Sequence, residues 1–112
     1  MLKKGFRITK QEDFDRVFRN GKPLFFGEIG CRGAKNGLPH IRIGFSLGKK
    51  HIPLAVDRNR TRRVLSEAFA KAEGCWPESM DIVFFSAKKT APISHDAAEK
   101  MVSQVLDKAK KL

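Results

Sequence analysis

The apolar residues near the start of the chain have the spacing of a short helix. Three of them, separated by three and four positions, share one helical face. A capping box of Thr9 and Glu12 predicts where the helix begins, because each side chain can bond a backbone amide at the helix start. The pair Asn20-Gly21 predicts its end, with the glycine in the left-handed conformation. The predicted apolar face consists of Phe14, Val17 and Phe18.

Strand-like patterns follow this helix. Apolar residues with interspersed glycines over Pro23–Ala34 predict one or two short strands around a bend. The segment Lys35–Pro39 predicts a turn, because its Asn-Gly pair accepts a positive φ at little cost. Apolar residues then alternate with polar or small ones over Ile41–Leu47, which is typical of a half-buried strand.

The second half of the chain predicts two more helices and one more strand. A long helix is expected from about Pro53 to Glu73, a strand over Asp81–Ser86, and a last helix capped by Ser94. Interleaved helices and strands in so short a chain indicate one sheet with helices laid against it. We therefore predict an α+β fold in a single domain over residues 1–112. The last helix has one continuous apolar stripe, which consists of Ala98, Met101, Val102, Val105, Leu106 and Ala109.

The charge balance of the chain gives information about its function. Among 112 residues, 23 are Lys or Arg and 12 are Asp or Glu, so the formal net charge is +11. A small body with that excess attracts polyanions, and nucleic acid is the commonest one. A membrane surface would call for a basic amphipathic helix with exposed aromatic residues. The only tryptophan, Trp76, lies instead in a turn-like Cys-Trp-Pro stretch.

Several other classes of protein are disfavoured by residues that the sequence lacks. Two cysteines and three scattered histidines form neither a disulfide framework nor a zinc-binding pair. The apolar run Ile82–Phe85 is too short to span a bilayer, so we expect a soluble cytoplasmic protein. A nuclease in its own right would need paired carboxylates or a histidine acid and base. Because we find neither, we expect no catalytic residue, no metal site and no cofactor bound by the protein alone.

The most informative segment is Lys49–Arg63, with six basic residues and one acidic residue, a net charge of +5. At roughly 100° per helical residue, Arg60 and Arg63 point away from the apolar face and Arg58 lies near it. Arg58 could extend past the edge of the core or serve a structural bond. The predicted buried face is Thr61, Leu65, Ala68, Phe69 and Ala72, with Asn59, Arg62 and Ser66 along one flank.

Clustered arginines indicate a phosphate-rich partner. They repel one another without compensating carboxylates, and an anionic partner removes that repulsion. Their planar guanidinium groups also grip phosphate oxygens with two hydrogen bonds and stack on bases. A merely solvated basic face is the alternative interpretation, and the density of arginine on one helix favours RNA binding. The predicted RNA-binding residues are Lys49, Lys50, Arg58, Asn59, Arg60, Arg62 and Arg63.

The arginine-rich segment also resembles a motif of a known protein family. Arg58-Asn59-Arg60, followed by Arg62-Arg63, resembles the RNR motif of the ribonuclease P protein family. The surrounding segments stand in that family's usual order. They are the first helix at 12–21, the strand at 42–46, the lysine pair at 49–50 and the last strand at 81–85.

The resemblance implies more than the residues themselves show. It implies a mixed four-stranded sheet in the order α-β-β-β-α-β-α, with a left-handed crossover around the RNR helix. It also implies that this helix docks on the catalytic RNA subunit of ribonuclease P. A cleft lined by Phe14 and Phe18 would hold the single-stranded 5′ leader of precursor tRNA. The enzyme would be a ribonucleoprotein endonuclease in which RNA does the chemistry with Mg²⁺, and no protein partner or membrane would be required.

Some positions depart from the family pattern, and other functions stay open. Thr61 and Ser66 replace more usual residues, and Arg32 falls where many members carry an aromatic residue in the cleft. From spacing alone, Phe14 and Phe18 would be core residues. A structural RNA-binding protein such as a ribosomal one shares the size and charge. A DNA-binding helix-turn-helix is disfavoured, because a strand precedes the arginine-rich helix.

Overall fold

The structure, a computed structural model, describes residues 4–89 and 93–111. The helices and strands follow the predicted order, and each predicted strand is present. They are α1 (Gln11–Asn20), β1 (Lys22–Phe25), β2 (Ile29–Lys35), β3 (Arg42–Ser46), α2 (Ala55–Lys71), β4 (Met80–Ser86) and α3 (His95–Ala109).

The four strands form one mixed sheet in the order β1-β2-β4-β3. β2 is antiparallel to both β1 and β4, whereas β3 and β4 are parallel. Parallel neighbours need a crossover connection, and α2 lies within it. The predicted α+β class and mixed four-stranded sheet are confirmed, while the left hand of the crossover stays a prediction.

The two faces of the sheet are covered unequally. The main core contains alternate strand residues such as Ile43, Ile82 and Phe84 together with the buried faces of α2 and α3. All six residues of the predicted α3 stripe are buried, and Ser94 caps that helix by accepting a bond from the Ala97 amide at 3.2 Å. A smaller cluster around Val83 lies on the opposite face, and α1 packs there.

Two details of α1 correct the expectations from sequence. The helix begins at Gln11, and its cap residue Lys10 makes no side-chain capping bond, so the capping box at Thr9 is wrong. The reason lies in the preceding residues, where Arg7 pairs with Ile43 and the Ile8 amide donates to the Ile43 carbonyl at 2.8 Å. This pairing keeps the chain extended and moves the helix start past Thr9.

The end of α1 also differs from the prediction. Gly21 has an extended backbone (φ −77°, ψ 163°), so the left-handed stop is wrong. Glycine is needed there for space, since an added Cβ would lie 2.2 Å from the Val17 carbonyl oxygen. The predicted positive φ does occur in the Asn36-Gly37 turn, where Gly37 has φ +69°.

Candidate nucleic-acid interface

The outer face of α2 carries two exposed arginines. Arg60 and Arg63 are exposed, as the helical spacing predicted. Neither makes an ion pair or a side-chain hydrogen bond with any residue of 4–89 or 93–111. Two positive charges on one exposed helix face are therefore available to an anionic partner.

The buried face of α2 is wider than predicted. Ser66, expected on a polar flank, is 5% exposed and belongs to the buried side, so that placement is wrong. Because α2 packs against both the sheet and α3, its buried arc spans roughly 200° at about 100° per residue. The buried residues are Thr61, Val64, Leu65, Ser66, Ala68 and Phe69.

Arg58 has a structural bond, one of the two roles considered for it. Its Nη1 donates to the carbonyl oxygens of Ile52 and Pro53 at 2.8 and 2.9 Å. The half-buried guanidinium therefore holds the segment that leads into α2. The charge stays next to the exposed arginines and adds to their positive potential.

The remaining predicted residues extend the basic surface around the start of α2. Asn59 accepts a 2.9 Å hydrogen bond from Arg62 Nη1, which orients that guanidinium along the helix flank. Lys49 and Lys50 are exposed in the turn after β3. The Gly48 amide donates to Ser86 Oγ at 2.9 Å and fixes this turn to the end of β4.

A second candidate surface lies between α1 and the sheet. Phe14 is half-buried and packs against the small cluster that contains Val17 and Val83. Its ring lies directly over Gly44 of β3, because an added Cβ there would come within 2.7 Å of the ring. Phe14 is therefore mainly a packing residue in this structure.

Phe18 is more open to solvent than Phe14. Its side chain is 38% exposed and meets Phe85 edge-to-face, with the ring centroids 5.5 Å apart. The Phe85 ring lies over Gly30 of β2, where an added Cβ would come within 2.5 Å of the ring. Phe18 and Phe85 together form a partly exposed aromatic surface at one end of the sheet.

Phe85 is a member of this surface that was not predicted from the sequence. The signal was present in the alternation of β4, since side chains along a strand point to opposite faces. Because Phe84 is in the main core, its neighbour Phe85 must lie on the α1 face. Only the pairing of β2 with β4 places Phe85 opposite Gly30.

A buried carboxylate ties α1 to the sheet at the other end of the cleft. Asp81 has no exposed side-chain surface and accepts bonds from Arg42 Nε at 2.8 Å and Arg42 Nη2 at 2.7 Å. It also accepts from Asn36 Nδ2 at 2.9 Å and from Arg16 of α1. Asp13 lies 3.4 Å from Arg42 and adds a second carboxylate to the network.

This network accounts for two of the basic residues on the α1 side. The hydrogen bond to Asp81 raises the pKa of Arg42, and the nearby Asp13 charge acts in the same direction. Arg16 is held by the same carboxylate. Both arginines are therefore neutralised within the fold, in contrast to Arg60 and Arg63 on α2.

Two further residues on β2 have structural roles. Arg32 donates from Nη2 to the Gly21 carbonyl, which links β2 to the end of α1. Burial raises the pKa of the Cys31 thiol well above its usual value, so the thiol stays protonated and unreactive. The Cys75 side chain lies outside the described residues.

The described residues offer no metal centre. In the ranges 4–89 and 93–111, no three His, Cys, Asp or Glu side chains come together as a set of metal ligands. Among the helices described, none is long and apolar enough to cross a membrane.

The sequence is similar to known proteins over nearly its full length. A family model described as Ribonuclease P matches residues 2–110. The ribonuclease P protein component of Listeria monocytogenes serotype 4a is 33% identical over 106 residues, covering 94% of this chain and 88% of the relative. That of Streptococcus pneumoniae (strain Hungary19A-6) is 28% identical over 109 residues, covering 97% and 88%.

The fold is similar to solved structures as well. The RNase P protein of Staphylococcus aureus matches with a TM-score of 0.79 at 25% identity, covering 94% of this chain and 95% of that one. The protein from Thermotoga maritima matches with a TM-score of 0.73 at 25% identity, covering 95% and 96%. Sequence and fold are thus similar over nearly the whole length of each chain compared.

Proposed function

The chain belongs to the ribonuclease P protein family, and on that basis we propose that it binds two RNAs, the catalytic RNA subunit and the 5′ leader of precursor tRNA. Ribonuclease P is a tRNA-processing endoribonuclease and a ribonucleoprotein, so the family supplies the protein part of an RNA-containing hydrolase. We propose that this chain acts as a single RNA-binding domain in the cytoplasm.

The observation that carries the proposal is the contrast between the two sets of arginines. Arg16 and Arg42 are paired with the two carboxylates of Asp81 and Asp13, whereas Arg60 and Arg63 have no partner in the described part of the chain. Unpaired guanidinium groups on an exposed helix suit the phosphates of a structured RNA. We therefore assign the RNA subunit to the outer face of α2 and to the lysine turn before it.

The aromatic surface on the α1 side suits a different part of the substrate. Phe18 and Phe85 present partly exposed ring surface, and unpaired bases stack on such rings. A single-stranded leader has unpaired bases, whereas the body of tRNA is largely paired. We therefore assign the leader to the cleft beside Phe18, with Phe14 supporting it from beneath.

The proposed division of labour leaves the chemistry to RNA. We propose that the RNA subunit, with Mg²⁺, cleaves the precursor, while the protein binds and orients the substrate. The protein's contribution is then a matter of affinity and positioning, and no other protein is required.

Binding of the transcribed ribonuclease P RNA from the same genome tests the RNA assignment. If about six to eight phosphates are neutralised, the logarithm of the association constant K should fall with log[salt] with a slope of roughly −4 to −7. A filter-binding titration over a series of salt concentrations measures this slope. A slope near zero would contradict the electrostatic account.

Substitution of Phe18→Leu tests the leader assignment. An aromatic surface contributes about 1–3 kcal/mol per stacked base, or roughly 5- to 150-fold in affinity. The variant keeps an apolar side chain at a partly exposed site, so the fold should persist. The reconstituted holoenzyme should bind precursor tRNA more weakly and mature tRNA, which has no leader, equally well.

Two controls make that comparison decisive. Phe26→Leu removes another exposed ring, in the turn between β1 and β2, and should leave the preference for precursor tRNA intact. A damaged protein would bind both tRNA forms more weakly. Equal effects of Phe18→Leu on the two forms, or no effect on either, would show that Phe18 serves only packing.

A further inference from the structure

Two large apolar side chains are exposed where α2 begins. Leu54 is 60% exposed and Val56 is 68% exposed, and they are two positions apart. Two other large apolar residues of the described chain are exposed, Phe26 at 77% and Phe18 at 38%, and both lie elsewhere. Neither Leu54 nor Val56 belongs to either hydrophobic cluster, so packing within the fold does not account for them.

The backbone that presents these side chains is firmly held. Ile52, two residues before Leu54, is buried and anchors the segment to the protein body. Arg58 donates to the carbonyl oxygens of Ile52 and Pro53 and so bridges this segment to the first turn of α2. The apolar pair is therefore displayed on a fixed scaffold, which reduces the entropy lost on binding a partner.

The charges around the pair indicate what kind of partner fits. Lys49 and Lys50 precede it, and the α2 arginines follow it, with Asp57 as the single acidic residue among them. A second copy of this chain would bring another net charge of +11 against this surface and be repelled. A structured RNA satisfies both requirements, because its phosphates are anionic and its unpaired bases have broad apolar faces.

We propose that Leu54 and Val56 pack against unpaired nucleobases of the RNA subunit, between phosphates held by the lysine turn and by the α2 arginines. This inference rests on the proposed RNA binding and adds to it a contact that is not electrostatic. Apolar contact does not release counterions, so its contribution to affinity should be independent of salt. That property separates it from the arginine contacts in an experiment.

The test is a double variant, Leu54→Ser with Val56→Ser, titrated against the same transcribed RNA subunit. Leu54 is the N-cap residue of α2, a position that serine favours, so the fold should be kept. We expect Kd to rise roughly 5- to 30-fold, from the loss of two buried apolar contacts. The slope of log K against log[salt] should match that of the wild type. Phe26→Ser removes an exposed apolar side chain of similar size and should leave Kd unchanged.

The possible outcomes distinguish failure of this inference from failure of the proposed RNA binding on which it rests. If the wild type binds with the expected salt slope and the double variant binds equally well, the inference is overturned and the proposed function stands. If the wild type itself fails to bind, the proposed function fails. A variant with a shallower salt slope would show an electrostatic effect and overturn the apolar contact.

Other occupants of the surface would give different signatures. Sedimentation of the free protein would reveal a dimer that the double variant loses, and vesicles containing phosphatidylglycerol would reveal membrane binding that it loses. Either result with unchanged RNA affinity would overturn the proposal.

Discussion

Replacing Asp81 with Asn is expected to lower the free energy of unfolding of this protein by several kcal/mol. The substitution removes the charge that compensates Arg42 and Arg16, and the new amide would place N–H donors against guanidinium donors. Breaking a buried ion pair from one side reduces the free energy of unfolding by about 3–5 kcal/mol. A typical domain has only about 5–15 kcal/mol in total.

Thermal unfolding followed by circular dichroism measures this effect. At about 4 °C per kcal/mol for a domain of this size, the melting temperature should fall by roughly 10–20 °C. Lys71→Ala provides the matched control, because it breaks the Lys71–Glu99 pair, in which both side chains are exposed. Exposed pairs contribute little to stability, so this variant should melt close to the wild type.

A second substitution shows whether the charge itself is responsible. Adding Arg42→Met to Asp81→Asn removes one of the two guanidinium groups that lost their partner and should recover part of the lost stability. If Asp81→Asn melted no lower than Lys71→Ala, the network would not hold α1 to the sheet.

The Asp81 network illustrates why part of the fold could not be predicted from the sequence. Arg42 and Asp81 are 39 residues apart, and nothing in their local patterns connects them. They meet because β3 and β4 are parallel neighbours in a register that pairs these two residues. Sequence patterns predicted both strands and left their register open.

Elements whose burial follows a single hydrophobic periodicity were predicted correctly. The α3 stripe is buried at every predicted position, because a single helix against a single core follows one spacing. α2 was predicted less completely, because its buried side is wider than the predicted apolar stripe and includes Ser66. The capping box failed for a similar reason, because a distant strand residue, Ile43, sets the path of the chain before α1.

The residues of the candidate site also fall into two groups, those predicted from local spacing and those whose roles depend on tertiary contacts. The exposure of Arg60 and Arg63 followed from helical spacing within one element. The partners of Phe18 and the structural bonds of Arg58 depend on tertiary contacts, so the sequence could indicate the residues and not their roles. The proposed assignment of these surfaces to the RNA subunit and the leader rests on family membership together with the exposed α2 arginines and the ring of Phe18.

Removing the Arg60 and Arg63 side chains together is expected to produce the largest loss of RNA affinity. If each arginine neutralises one phosphate, the salt slope should become shallower by about 2. At about 0.15 M salt, the loss of two such contacts weakens binding roughly 30-fold. Filter binding of Arg60→Ala with Arg63→Ala to the transcribed RNA subunit measures both quantities.

Two controls show whether the loss of RNA affinity comes from a specific interface, from the lower total charge or from misfolding. Lys100→Ala with Lys108→Ala lowers the net charge equally at exposed positions of α3 and should change Kd much less. Because both arginines are exposed, the double variant should melt near the wild type. Leu65→Ala, at a fully buried position of the same helix, should lower stability by about 2–5 kcal/mol. Equal weakening by the α2 and α3 pairs would mean that the RNA responds to total charge, and the assignment to α2 would then be wrong.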